Sequence, residues 1–284
     1  MDISIGLPNM IPGVPAGLIL DWSRRADSGP FASLGSLDRV VFDNFEPLVT
    51  LAAAAAVTKR ARLMTTVLLA TTRNAGILAK QAASIDALSG GRLTLGLGVG
   101  AREDDFRAAP EPFAGRGKRF EEMLAVMTRV WAGEPPVADT GRMGPPPTRA
   151  GGPEVLIGGY SERAVRRVAR WGNGYIAGGA APAMARQLYE AAARAWHEAG
   201  RPGTPRFVAA TYYGLGPNAA EDVSNYLRGY YGARGEQIAA GVPTTPEALK
   251  ERLKVFADNG VDELMCWPCI PDLGQVDRLA EAIA

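Results

Sequence analysis

The chain has 284 residues, 47% of them hydrophobic, and a formal net charge of +1 at pH 7. That is enough apolar material for one large core, and Lys and Arg spread along the chain argue against nucleic acid or an anionic membrane as the main partner. No uninterrupted apolar stretch reaches the roughly 18 residues of a membrane span, and the N-terminus MDISIGLPNM has no basic segment leading into an apolar one, so neither a span nor a signal peptide is read and a cytoplasmic protein is expected.

Strand-like and helix-like segments alternate from the start. ISIGL (3–7) reads as a first strand and AGLILDWSRRADS as the helix after it; LDRVVF (37–42) reads as a second strand, followed by a helix with Pro47 near its first turn, where proline is tolerated. ARLMTTVLL (61–69) is a third strand, and the helix AGILAKQAASIDALSGG closes on Gly90 and Gly91. RLTLGLGVG is the fourth strand and GKRFEEMLAVMTRVWAG (117–133) the next helix. A Pro/Gly-rich stretch at 134–153 follows, read as a lid or a surface excursion. EVLIGG, GYIAGG and PRFVAATYYGLG then alternate with the helices SERAVRRVARWG, APAMARQLYEAAARAWHEAG and a helical region from Ala219 to about Ile238. PEALKERLKVFADNG leads into a last strand, VDELMCW, and a closing helix from about Gln275.

Eight such units, several with nearly all-apolar strands, fit a (β/α)8 TIM barrel forming one domain over residues 1–284. A doubly wound open sheet is the alternative. Against it, the first strand–helix junction, ISIGLPNMIPG, lacks the glycine fingerprint, and Gly98-x-Gly100 runs into Arg102-Glu103 where a third glycine is required.

The counts of reactive side chains are low. There is one histidine, His197, near the polar end of a helix, so a Ser–His–Asp machine or a histidine-rich metal site is not expected. Cys266 and Cys269 form a C-x-x-C, but after a late strand and not at the start of a helix in an early βαβ unit, and no second cysteine pair exists for zinc. They read as buried or half-buried thiols at a strand end. A reactive group supplied by a bound molecule is the consequence, if the protein is an enzyme.

In a barrel that molecule sits at the C-terminal ends of the strands. There the fourth strand alternates Leu93, Leu95, Leu97 and Val99 with Gly96, Gly98 and Gly100. Two readings of the bare face stand: room for a flat ring against the backbone, or another strand's side chains packed over the glycines. Gly158, Gly159 and Ser161 end the fifth strand at a helix N-terminus, which reads either as a phosphate site or as a serine-capped turn. Asp43, Asn44, Asp104 and Asp105 also fall in these loops, as acid/base groups, metal ligands or caps.

Taken in order, AAAVTKRARLMTTVLLATTRN, LAKQAASIDALSGGRLTLGLGVGAREDDF, GRGKRFEEMLAVMTRVWAGE, EVLIGGYSERAVRRVARWGNGYIAG and DNGVDELM resemble the luciferase-like monooxygenase superfamily of flavin- and deazaflavin-dependent oxidoreductases. The resemblance implies a barrel, commonly dimeric, that holds reduced FMN or the deazaflavin coenzyme F-420. It implies a non-proline cis peptide at Thr66–Val67 supporting the cofactor ring, with Gly98, Gly100 and Ala101 beside it. Gly158, Gly159, Tyr160 and Ser161 then meet the cofactor phosphate. There are departures: Asn44 stands where related sugar-phosphate dehydrogenases and light-emitting enzymes carry histidine, and Leu48 and Ala101 stand near positions where the former carry tryptophan and glutamate. Those two activities are therefore not expected. The reading that follows is a monooxygenase using reduced FMN from a separate reductase on a small organic substrate, with Asn44 bonding substrate or ring; Arg102 and Arg73 read either as a site for an anionic substrate or, more in keeping with such positions, as members of surface salt bridges. One alternative is hydride transfer with F-420, whose acidic tail favours a basic rim at Arg116, Lys118 and Arg119. The other is a non-catalytic flavin-binding protein.

Overall fold

In the computed structural model, which describes residues 1–284, the strands pair edge to edge in chain order. They are β1 (Asp2–Gly6), β2 (Ser33–Ser36), β3 (Arg62–Leu69), β4 (Leu93–Gly98), β5 (Glu154–Gly158), β6 (Gly174–Ile176), β7 (Arg206–Tyr213) and β8 (Glu263–Pro268). Every pairing is parallel and β8 returns to β1, so the sheet closes. The protein is a (β/α)8 barrel.

The helices around it are α1 (Ala16–Ser28), α2 (Pro47–Val57), α3 (Ala75–Ser89), α4 (Glu103–Ala108), α5 (Arg116–Trp131) and α6 (Glu162–Trp171), then α7 (Pro182–Glu198), α8 (Ala219–Tyr231), α9 (Gly235–Ala239), α10 (Pro246–Asp258) and α11 (Gly274–Ile283). Their starts follow local chemistry. Asn74, Ser161 and Thr245 cap α3, α6 and α10 through their side chains, and Glu46 caps α2 ahead of Pro47. Gly90, at φ +68°, ends α3 in a left-handed turn.

Side chains alternate across the barrel wall. Outward residues such as Leu63, Leu95, Ile157, Phe207 and Leu264 join the inner faces of the helices in one large buried cluster. Inward residues form a smaller one: Met64, Leu156, Ile176, Val208, Ala210, Met265 and Trp267. At the N-terminal end the inward positions are polar. Glu263, almost fully buried, takes hydrogen bonds from Ser4, Arg62 and Arg206, and Arg206 also pairs with Glu154. This ionic layer fills that end of the barrel, and the other end is the mouth.

Two expectations are corrected. The second strand is Ser33–Ser36, not 37–42. Gly35 lies under Met265 and Trp267, where a Cβ would stand 2.6 Å from the Met265 sulfur, so this strand must be small, and it carries none of the β-branched residues that mark strands. The segment 37–42 follows it as a mouth loop, its Asp38 and Arg39 buried in ion pairs. Second, Glu103–Ala108 is a short helix, its first turn bearing Glu103, Asp104 and Asp105 as the helix dipole favours. The 134–153 stretch, read as a lid or a surface excursion, follows the second of these paths. It leaves the C-terminal end of α5, reaches the start of α3 where Met143 neighbours Gly76, and returns past the other end of α3, where Asp86 accepts from the Thr148 N–H at 2.7 Å. It packs along the outside of α3.

Candidate active site

The mouth is shaped first by backbone. Between Thr65, paired with Leu95, and Leu68, paired with Leu97, β3 carries one residue more than β4, a bulge. The Thr66–Val67 peptide inside it is cis. The bulge turns the Thr65 carbonyl and the Val67 side chain onto the glycines of the neighbouring strands. A Cβ on Gly96 would stand 2.1 Å from the Thr65 oxygen; on Gly98, 2.9 Å from Val67 Cγ2; on Gly158, 2.9 Å from Val67 Cγ1. Of the two readings of the bare face, close packing of another strand is what the structure contains. Gly100 lies past the end of β4 at φ +72° against Phe106.

Thr66 Oγ1 in this bulge is buried with no protein partner, as are Ser36 Oγ on the strand paired with it and Trp267 Nε1, on the indole that covers Gly6 and Gly35 from inside. Buried polar atoms are almost always bonded, so these are free to bond a water or a bound molecule at the mouth.

One strand further on, Gly159 adopts φ +134°, where a Cβ would press 2.7 Å from Ala164. Only glycine suits this turn into α6. Ser161 accepts from the Ala164 N–H, and the other first-turn N–H groups of α6 are directed out at the positive end of the helix. Tyr175 fixes the turn by donating to the Gly159 carbonyl at 3.0 Å. The exposed Tyr160 reaches over Gly178, and Gly179 has open space where a side chain would stand.

The charged candidates are placed elsewhere. Arg73 is held by Asp38 and Glu46, and Asp38 also accepts from the Leu69 N–H. Burial pushes the Asp38 carboxyl above the usual range, and the Arg73 guanidinium pulls against that. Arg39 bonds both oxygens of Asp105, which accepts as well from the Val40 and Val41 N–H groups. Arg102 donates to the Tyr230 carbonyl at 3.0 Å and lies 4.9 Å from that ring's centre. Asn44, half-buried, donates to the Phe45 carbonyl on the rim. Ala101 is exposed beside Arg102. So the structure brings Thr66, Val67, Gly98 and Gly158 together and leaves Asn44 and Arg102 in the surrounding loops, with both cations of the expected anion site engaged by protein groups.

Across the mouth stands an aromatic group that sequence reasoning missed: Phe42, Tyr212, Tyr226, Tyr230 and Tyr231. Its signal was the paired tyrosines of ATYYGLG and RGYYG, one at a strand end and one at a helix end. Burial raises these phenols, Tyr230 to about 12. Cys266 and Cys269 are free and buried, which pushes the Cys266 thiol up to about 12 and leaves no thiolate at neutral pH. His197 is exposed at the end of α7 remote from the mouth.

Residues 10–284 match the sequence profile described as luciferase-like monooxygenase. The chain belongs to that family. Uncharacterized proteins of Mycobacterium tuberculosis and Mycobacterium bovis are 34% identical over 164 residues, covering 55% of this chain, so the chain spans 56% of the length of those relatives. Among solved structures, the monooxygenase RslO1 from Streptomyces bottropensis superposes with a TM-score of 0.80 at 19% identity, covering 100% of this chain and 97% of that one. An F-420-dependent secondary alcohol dehydrogenase, bound to an F-420–acetone adduct, gives 0.78 at 17% over 99% and 98%. The oxygenating constituent of 3,6-diketocamphane monooxygenase from Pseudomonas putida, in complex with FMN, gives 0.71 at 17% over 94% and 91%. These structures share the barrel. In this family member no helix is long and apolar enough to cross a membrane, and no group of three or more His, Cys, Asp or Glu side chains is placed to hold a metal ion.

Proposed function

We propose that the protein is a flavin-dependent oxidoreductase that uses reduced FMN, delivered by a separate reductase, to oxygenate a small organic substrate. One observation carries this reading: the mouth offers unpaired hydrogen-bonding atoms and an open helix end but no reactive group of its own. Its thiols are buried, its only imidazole lies at the other end of the barrel, and Asp38, Asp104 and Asp105 are tied to arginines. A cofactor supplies the redox chemistry, and the protein supplies placement and a dry pocket. The ring lies against the β3 bulge at Thr66 and Val67, beside Gly98, Gly100 and Ala101, with Thr66 Oγ1 and Trp267 Nε1 available to its polar edge. The phosphate meets Gly158, Gly159, Tyr160 and Ser161 at the start of α6.

FMN is favoured over F-420 by the rim. Arg116 donates to the Gly100 and Phe113 carbonyls, Arg119 to those of Thr71 and Pro112, and Lys118 lies 3.5 Å from Glu122. Two of the three cations that an acidic tail would use are thereby held by backbone carbonyls, and Lys118 alone stays exposed.

Anaerobic titration of the purified protein with reduced FMN and with reduced F-420 tests the reading. Tight binding of FMN alone supports it, and tight binding of F-420 alone replaces it with hydride transfer. FMN binding without turnover on any reductant and substrate points to a non-catalytic flavin carrier. Sedimentation of the same sample tests the homodimer that goes with this proposal.

A further inference from the structure

The eight tyrosines of the chain do not all end alike. Tyr175, Tyr189 and Tyr213 each donate to a backbone carbonyl, of Gly159, Pro205 and Gln275, and are structural ties. Tyr212 and Tyr231 end on each other: their hydroxyl oxygens are 2.9 Å apart, and neither has another partner. Two phenols carry two donor hydrogens, and the bond between them uses one. The pair therefore holds one O–H that the protein does not satisfy.

Tyr212, one member of the pair, lines a cavity of about 660 Å³. The cavity lies between the turn after β6, the end of β7, α9 and α10, and Ala210 and Tyr212 form its inner wall. Both belong to the inward face of β7, which packs with Trp267 and Val67 in the barrel interior, and Thr211 between them faces α10, so the cavity runs along the end of β7 at the edge of the barrel wall. Most of the remaining lining is apolar, including Pro182, Ile238, Val242, Val255 and Phe256. Its two charged residues are both on α10: Glu251 is exposed, and Arg252 donates to the Gly241 carbonyl at 2.7 Å. An anionic ligand finds no unengaged cation there, and a pure hydrocarbon leaves the O–H unbonded.

We infer that the Tyr212–Tyr231 hydroxyl pair donates a hydrogen bond to the oxygen of a neutral carbonyl or alcohol substrate held in this cavity, fixing which end of that substrate faces the barrel interior. The role of substrate rests on the oxidoreductase reading; the binding chemistry does not. Burial keeps both phenols protonated, as a donor requires.

Calorimetric titration of the cofactor-free protein with cyclohexanone, methylcyclohexane and cyclohexanecarboxylate tests it, on wild type, Tyr212→Phe and Tyr231→Phe. The expected result is that the ketone binds wild type, that each variant weakens it roughly ten-fold, as one hydrogen bond of about 1–1.5 kcal/mol implies, and that methylcyclohexane binding does not change. Ketone binding unchanged in both variants overturns the inference. So does an equal loss for ketone and hydrocarbon, which marks the pair as packing only, or stronger binding of the carboxylate, or no ketone binding to wild type. Phe keeps the ring, and the second variant decides if the first does not fold. Flavin titration of the same samples keeps the two readings apart: wild type that binds ketone but neither FMN nor F-420 loses the oxidoreductase proposal and keeps the donor pair.

Discussion

Gly98→Ala separates two reasons for a bare strand. If the glycine makes way for the β3 bulge, the cost falls on the protein without cofactor; if it makes way for a ring, only cofactor affinity suffers. The added methyl would stand 2.9 Å from Val67 Cγ2, closer than real contacts allow. Val67 has little room to yield. Its χ1 is stiff, and Cγ1 already stands 2.9 Å from where a Cβ on Gly158 would be. Overpacking of this kind costs about 1–3 kcal/mol, while replacing glycine by alanine in a strand returns about 0.5–1 kcal/mol of backbone entropy. The net expectation is a loss of about 1–2 kcal/mol. In a Val67→Ala background both Cγ atoms are gone, and the same substitution should be neutral or slightly stabilising. Urea unfolding of the four cofactor-free proteins, with equal slopes, should therefore give a coupling of about 1–3 kcal/mol. Gly96→Ala is the control: its methyl meets the Thr65 carbonyl at 2.1 Å, backbone held by the Thr65–Leu95 pairing, so Val67→Ala should not rescue it. Gly98→Ala as stable as wild type, or a penalty that persists without Val67, would refute the packing account.

Asp105→Ala leaves the Arg39 Nε–H and the Val40 and Val41 N–H groups without their acceptor and Arg39 with Asp104 as its only counter-charge, so a loss of about 2–4 kcal/mol is expected, with new proteolytic cleavage near residues 38–44. Tyr212, Tyr213 and Tyr226 keep their protons in the fold well above the ordinary phenol range because they are buried. Their contribution to stability is complete below pH of about 10, where unfolded phenols are also protonated, and is lost as pH rises further. Phenolate absorbance should accordingly grow above that pH together with loss of circular dichroism; reversible titration of all the tyrosines near pH 10 in folded protein would contradict it. The Arg278 hydrogen bond, with help from the Gly274 N–H, holds the Asp272 carboxyl below its usual range. That stabilisation is present above pH of about 4 and lost as pH falls through the lowered value. Because both partners are partly exposed, Asp272→Asn should cost only a few tenths of a kcal/mol at pH 7 and nothing near pH 2 in thermal melts.

The alternation of apolar strands with Ala/Arg-rich helices made the barrel legible, because strands covered on both faces must be apolar along their length and amphipathic helices must face them. β2 was not legible: Ser33-Leu34-Gly35-Ser36 is a strand through its pairing with β1 and β3, and its smallness is set by Met265 and Trp267, more than 200 residues away. The stronger strand pattern of 37–42 belonged to a loop whose Asp38 and Arg39 are buried in ion pairs. At the mouth the glycines were legible and their neighbour was not, since nothing in LGLGVG tells that Val67 covers it. For Arg102 and Arg73 a protein partner was expected but could not be named, because Tyr230, Asp38 and Glu46 come from other loops. The tyrosine pair was invisible for the same reason, Tyr212 ending β7 and Tyr231 ending α8.

These two kinds of legibility bear on how far the family relationship reaches. The RslO1, alcohol dehydrogenase and diketocamphane structures keep this chain's fold at TM-scores of 0.71–0.80 with only 17–19% identity. The floor of the mouth can persist through such change, because it consists of backbone: the Thr65 carbonyl, the bulge, the glycines of β4 and β5, and the turn into α6. Few side chains are needed to define it, and those that are, such as Val67, act by size. The roof is of another kind. Phe42, Tyr230, Tyr231 and Arg102 come from three separate connections, Tyr212 from the end of β7, and they hold one another by edge contacts, one hydroxyl pair and a guanidinium over two rings. Any one of those loops can change its contribution without disturbing the floor, which strands alone secure. On the proposed reading, the backbone floor would receive the ring common to FMN and F-420, and the loops would decide between them and choose the substrate. A relative that keeps the bulge and the glycines but lacks tyrosine at the positions of Tyr212 and Tyr231 should bind the same ring and a different substrate.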